Sequence, residues 1–408
     1  MRSDFLLKTP EANNLYEIYA KELPIIDFHN HVSVTDIAED RKFKNLTELW
    51  LASDPYKHRL MRICGVPEHY ITGDASDYEK FEKYCEIFPL LAGNPVYDWS
   101  RMELSAIFGI AEMPCKENAR QIYDAAGALL ATPEYSNNAI LKRFGIHYQS
   151  PVAQLQDDLS GFDGVTVAPS LRGDNLLTEE WDMAEICRRL DAFAEKGCRF
   201  ADHALDADFF SHKDRAERLV KLGTEYAKRG WTLLLHMGAK RSTSPRLAKL
   251  AGPAGGYAAA GSSFSVNDIC DLLGAMEAAG GLPDTVLFPL NMADQAAFSV
   301  LQGSYSQDGI ASKVQLGPAW WWCDHPMGIE NTLNCIASFG VVSRFIGMTT
   351  DSRSILSFVR HDYFRRLLCS WLDEQNKVRQ WELTPSQLGD MIRNICFENA
   401  NRKILGGK

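Results

Sequence analysis

His29 and His31 stand two residues apart at the end of the apolar run 24–28, and an extended segment turns alternate side chains to the same face. Neutral imidazole is a good ligand for zinc and similar divalent ions. Ten histidines in 408 residues place a His-x-His by chance in roughly one chain of four, so spacing alone says little. A carboxylate would complete a three-ligand site, and Asp351, just past the last apolar run, supplies one. Arg172 and Arg353 also follow such runs, and a guanidinium presents a planar fork that matches a carboxylate. A small acidic substrate is implied. His236 ends another run and is either a fourth ligand or a hydrogen-bond partner for a substrate oxygen. Trp320, Trp321 and Trp322 in a row must face different ways, some into the core, with Trp320 preferred as a wall for a sugar. Asp202 next to His203 is positioned to orient that imidazole. The remaining histidines, His58, His69, His147, His212, His325 and His361, read as surface or structural.

Eight short apolar runs precede these residues or the turns beside them: 24–28, 145–148, 164–168, 197–201, 232–235, 285–288, 313–316 and 345–348. Most lead into helical patterns such as 214–229 and 266–279, the alternation of a parallel sheet. Eight units predict an α/β fold, a (β/α)8 TIM-type barrel, whose active site gathers at the C-terminal strand ends. No G-x-G-x-x-G follows the first run, which argues against a dinucleotide fold. The long gap after the first strand, 36–135, is rich in helix formers and aromatics and predicts a helical insertion within a single 1–408 barrel domain. Amphipathic helices over 359–375 and 384–401 would close the chain.

With 43 basic against 53 acidic residues and no long basic run, the chain is not suited to nucleic acid. No apolar stretch has the length of a signal peptide or membrane span, so a cytoplasmic enzyme without a membrane partner is expected. Ten cysteines without a CxxC read as reduced, mostly buried thiols. A homo-oligomer is left open.

Three stretches carry a more specific signal: DFHNHVSVTDIAEDRKFKNLTELW, GNPVYDWSRMEL, and GPAWWW followed by SRFIGMTTDSRSILSFVRHDYFRRLL. In these the chain resembles the uronate (glucuronate) isomerases of the amidohydrolase superfamily over nearly its whole length. The resemblance implies metal ligands at His29, His31 and Asp351, a carboxylate-binding arginine at Arg172, and a second active-site arginine at Arg353. It also implies an insertion tyrosine at Tyr56, a pocket tryptophan at Trp320 and a substrate contact at His236. The implied reaction converts D-glucuronate to D-fructuronate, and D-galacturonate to D-tagaturonate, through a cis-enediol. One divalent ion, zinc by preference, is the implied cofactor, with no redox cofactor. Asp351, Tyr56 and Arg353 are then the candidates for proton handling and enediolate stabilisation.

The chain departs from the family pattern in several places. Pro55 precedes Tyr56 where a histidine is usual, with His58 a nearby candidate to replace it. His147-Tyr148-Gln149-Ser150-Pro151 replaces an Asp-Asp-Pro segment, Cys323 replaces an asparagine, and the chain is short. Two rivals remain: a metal-dependent hydrolase or lactonase of the same superfamily, and a degenerate sugar-acid-binding barrel. The first lacks a histidine where the sixth strand ends in Pro289-Leu290-Asn291.

Overall fold

Strand residues buried on both faces must be apolar almost throughout, and the runs IIDFHN, FADHAL and TLLLHM meet that demand apart from a few polar residues, among them Asp27, His29, Asp202 and His236. The computed structural model, which describes residues 2–405, forms them into one parallel sheet. Its strands are β1 (Ile25–Asn30), β2 (Ile146–Gln154), β3 (Ser170–Arg172), β4 (Phe200–Leu205), β5 (Thr232–Met237), β6 (Asp284–Pro289) and β7 (Val314–Leu316), paired in that order. Helices including Met183–Glu195, Lys213–Lys228, Val266–Ala278 and Pro326–Phe339 connect them, giving a TIM-like α/β fold. Between β1 and β2 the chain forms helices joined by loops, and two of these helices shape the site: α1 (Pro55–Ile63) and α2 (Pro95–Phe108). A third helix, α3 (Lys213–Lys228), packs against β5.

Two of the expected strands differ. The run 164–168 is not the third strand. Asp163 Oδ1 accepts the amides of Val165, Thr166 and Val167, Gly164 is left-handed, and only a single bridge joins Val167 to Gln149. The turn absorbs these residues, and β3 starts at Ser170.

The eighth position is filled by an extended segment that forms no ladder. Gly347 has φ +87°, and a Cβ there would lie 2.0 Å from the Ile395 carbonyl oxygen, so the pleat is broken in the middle of the run 345–348. The segment is held instead by discrete bonds. Ile346 N–H donates to Gln315 Oε1 (2.9 Å), His29 N–H to Thr349 Oγ1 (2.8 Å), Asp351 N–H to the His29 carbonyl (3.1 Å) and His31 N–H to the Ser352 carbonyl (2.7 Å). It thereby lies against β1, as the eighth strand of a closed barrel would.

After β5 a short antiparallel ribbon, Ala239–Lys240 with Ala259–Ala260, starts a long loop. Its tip meets the insertion: Arg59 donates to the Ala258 carbonyl (3.1 Å), and a Cβ on Gly256 would lie 2.2 Å from the Pro55 carbonyl oxygen. All ten cysteines are free thiols, and no helix among the described residues is long and apolar enough to cross a membrane.

Candidate active site

A cavity of about 450 Å³ opens at the C-terminal ends of the strands. His29, His31, Tyr56, Arg172, His236, Trp320, Asp351 and Arg353 all line it, so every side chain singled out as catalytic, substrate-binding or metal-ligating meets in one place. Tyr148, which ends the run 145–148, lies near the start of the longer β2 and does not line the cavity, and neither does Asn291, which caps the turn that follows β6.

The His-His-Asp cluster sits where β1 ends. Asp351 Oδ1 lies 3.5 Å from His29 Nε2 and 3.2 Å from His31 Nε2, and the ligand atoms of the three residues lie within 4.8 Å of one another. Zinc-ligand bonds of about 2.0–2.2 Å in a tetrahedron separate ligand atoms by about 3.3–3.6 Å, so two imidazoles and a carboxylate at these distances suit such an ion. Asp351 has φ +51°, a left-handed conformation rare outside glycine, which turns its carboxylate between the two rings. Burial opposes its charge, but the facing histidines outweigh that and hold the carboxyl far below its usual range. Both rings approach Oδ1, and Oδ2 makes no hydrogen bond among the described residues.

The insertion supplies the opposite wall. Asp54 caps α1 by accepting the amides of Tyr56 and Lys57, and Pro55 occupies the first helical position, where a missing N–H costs nothing. This sets Tyr56 edge-on to Trp99 (6.3 Å) and Trp322 (5.6 Å). Burial, reinforced by the Asp351 charge, pushes its phenol well above the usual value, so it stays protonated. His58, one turn into α1, is buried and does not line the cavity, so it does not replace the histidine absent at Pro55.

Arg172 is more occupied than its strand-end position suggests. Nε and Nη2 meet Asp174 Oδ2 at 2.8 and 2.7 Å, and Nη1 binds the fully buried Asp202. Asp202 also accepts from His236 Nδ1 (2.9 Å), so it serves Arg172 and His236 and not His203. Alternate positions on β4 face opposite sides, and His203 turns outward to Tyr226 on α3, with Nε2 2.9 Å from the hydroxyl. Arg353, by contrast, is exposed and forms no salt bridge among the described residues.

The three tryptophans all line the cavity. Trp320 is its floor, 2% exposed and stacked on Phe288 (3.8 Å) beside His29 (4.9 Å). Trp321 and Trp322 form the more open walls.

The sequence reading did not find Arg241 or Arg360. Arg241 lies five residues beyond His236 in the loop after β5, and its Nη2 is 2.7 Å from His236 Nε2. Arg360 stands on α4 (Val359–Val378), buried, paired with Asp324 and 4.5 Å over the Trp99 ring. Arg241 stands beyond the antiparallel ribbon of that loop and Arg360 on a helix, so neither directly follows one of the apolar runs from which site residues were read.

The sequence model of the glucuronate isomerase family matches residues 1–184 and 212–403. The chain belongs to the glucuronate isomerase family. It is 36% identical to the uronate isomerase of Caldanaerobacter subterraneus subsp. tengcongensis and 34% identical to that of Actinobacillus succinogenes, in both cases over 98% of each chain. The first alignment spans 461 positions against 408 residues here, so that relative has segments this chain lacks. A solved uronate isomerase from Thermotoga maritima superposes with a TM-score of 0.89 at 26% identity, over 99% of both chains. The glucuronate isomerase of Caulobacter crescentus, at 21% identity and a TM-score of 0.87 over 99% of this chain and 97% of that one, shares the fold.

Proposed function

We propose that this chain is a cytoplasmic uronate isomerase that interconverts D-glucuronate with D-fructuronate and D-galacturonate with D-tagaturonate. The observation that carries the reading is the His29, His31 and Asp351 cluster facing Tyr56, Arg172 and Arg353 across one cavity. His29, His31 and Asp351 would hold one divalent ion, zinc by its donor set, which when bound polarises oxygens of the sugar.

The side chains divide the remaining work. Asp351, with Oδ2 unengaged, is the base that takes the proton from carbon 2 and the group that returns it to carbon 1. Tyr56, kept protonated by its surroundings, gives its proton to the carbon-1 oxygen and takes back that of the carbon-2 hydroxyl, so the protons on the two oxygens balance. Arg353, unpaired and exposed to the cavity, stabilises the charge that builds on these oxygens in the enediolate. Arg172 attracts the distant carboxylate and so sets which carbon faces Asp351, while His236 and Trp320 fix the sugar between them. Residues 36–135 act as an insertion of one barrel domain that shuts water from this space.

Incubation with each uronate in deuterium oxide, followed by NMR at carbons 1 and 2, tests the reading. Ketose formation is expected. If no ketose forms and no deuterium enters, the proposal falls, and turnover of a lactone or amide instead would mark a hydrolase.

A further inference from the structure

The two proton carriers of the proposed reaction stand on different parts of the chain. Tyr56 belongs to the insertion, at the start of α1, whereas Asp351 belongs to the segment that fills the eighth position of the barrel. One side chain bonds to both parts. Glu103 lies on α2, within the stretch GNPVYDWSRMEL, and lines the cavity although it is 1% exposed.

Its two oxygens divide between those parts. Oε2 accepts from the Trp50 indole N–H and from Nζ of Lys57 (3.4 Å), the residue next to Tyr56 in α1. Oε1 accepts from Ser357 Oγ (3.3 Å), in the short helical turn that follows Asp351 and Arg353. Lys57 is buried as well, and its Nζ also meets Asp54 Oδ2 at 2.6 Å, while Asp54 Oδ1 accepts the amides of Tyr56 and Lys57. The turn that presents Tyr56 is thus gripped twice, along its backbone by Asp54 and through Lys57 by Glu103.

A lysine and two carboxylates withdrawn from water are a costly way to join two helices, since apolar side chains of similar size hold such a seam as well or better. What apolar contact lacks is direction, whereas hydrogen bonds fix distance and angle. The placement of this set, between Tyr56 and the Asp351 segment, gives that precision a use. A second tie beside it, Ser354 Oγ to the Leu49 carbonyl (3.0 Å), keeps the two parts joined when Glu103 is changed.

We propose that Glu103 is a positioning residue that sets Tyr56 against Asp351 across the cavity. The role rests on the isomerase reading, in which Tyr56 moves a proton between the two oxygens and Asp351 a proton between the two carbons. Both transfers happen on one enediol. A slip of one wall therefore spoils the oxygen transfer and leaves the ion and the sugar in place, and a misplacement of about 1 Å costs on the order of 10²-fold.

The test runs the zinc-loaded enzyme on D-glucuronate in deuterium oxide and measures two products by NMR: ketose formed, and deuterium entering carbon 2 of the recovered aldose. Glu103→Leu should lower kcat by about 10- to 100-fold with KM within about threefold, and calorimetry should show zinc affinity little changed. The ratio of deuterium in the aldose to ketose should rise, because an enediolate that waits for its oxygen proton returns to the aldose more often. Lys57 keeps Asp54 in this variant, and Glu103→Gln, which retains an acceptor for Ser357, should recover part of both effects. A variant that is merely unstable loses active molecules without changing that ratio, so an unchanged ratio overturns the proposal. A large rise in KM or loss of zinc overturns it too, by placing Glu103 on the sugar or the ion. Should Glu103→Leu fail to fold, Ser357→Ala removes only the Oε1 tie, and there too a smaller rise in the ratio is expected and none overturns the role. A wild type that forms no ketose overturns the isomerase reading itself.

Discussion

Strand β1 takes part in two histidine–aspartate clusters, two residues apart, that behave differently. In the inner one, fully buried Asp27 accepts from Thr349 Oγ1 (2.8 Å), the Thr350 amide (3.1 Å), His361 Nε2 (3.0 Å) and Asn30 Nδ2 (3.3 Å). Every lone pair has a use. In the outer one, His29, His31 and Asp351 face a cavity, His29 Nδ1 has no hydrogen-bond partner among the described residues, and Asp351 stands in a left-handed conformation. The same residue types thus serve as a fastening in one layer and, in the next, as a cluster turned toward a cavity, where the proposed ion would bind. What separates them is whether hydrogen bonds within the chain complete the set. The inner cluster also fastens the eighth segment to β1, a task the missing ladder leaves to side chains, and so it sets where Asp351 stands.

Asp351→Asn tests the outer cluster most directly. It should cut turnover by on the order of 10³-fold or more with little loss of stability, and near-normal kinetics would remove Asp351 from the reaction. Asp27→Asn should do the reverse. Breaking a buried pair costs about 3–5 kcal/mol, read as a fall in denaturation midpoint, and if Asp27 also positions Asp351 the same variant binds zinc more weakly. Unchanged stability would show that the clusters do not differ as described.

His203 offers a third comparison, a histidine fully enclosed on the outer face of β4. Burial pushes it down to about 4, against about 6.5 unfolded. Between those values the unfolded chain takes up a proton that the folded one refuses, so the contribution is fully present above pH 6.5 and is lost as pH falls toward 4. The loss is roughly 3 kcal/mol, and His203→Gln should flatten that part of the stability profile.

Arg172→Met should raise KM for uronates by roughly 10- to 100-fold, the value of a charged hydrogen bond of about 1.5–3 kcal/mol. Because it also strands Asp202, it should lower stability, and adding Asp202→Asn should restore the fold without restoring KM. Recovery of KM in the double variant would make Arg172 purely structural.

Much of the site was legible because barrel strands end in the active site, so residues after apolar runs could be read in order: His29, His31, Arg172, His236, Asp351 and Arg353 were found this way. The family resemblance added Tyr56, which no periodicity marks. The strand at 164–168 was misread because Val-Thr-Val has strand character but follows an Asp-Gly turn that claims its amides. The occupancy of Arg172 and the orientation of Asp202 toward His236 rather than its neighbour His203 depend on contacts between strands, which spacing along one strand does not encode.

By itself the sequence determined the chemistry on offer. The order of apolar runs dictates a parallel barrel, and the residues that follow them dictate two imidazoles, a carboxylate and arginines at its mouth. Only the tertiary structure decided which of those groups are spent. Hydrogen bonding saturates, and a side chain satisfied by a neighbour distant in sequence, as Asp27 is by His361 and Arg172 by Asp202, has less left for a ligand. That accounting closes only in three dimensions, and it leaves the outer cluster of β1 and Arg353 as groups with capacity to bind.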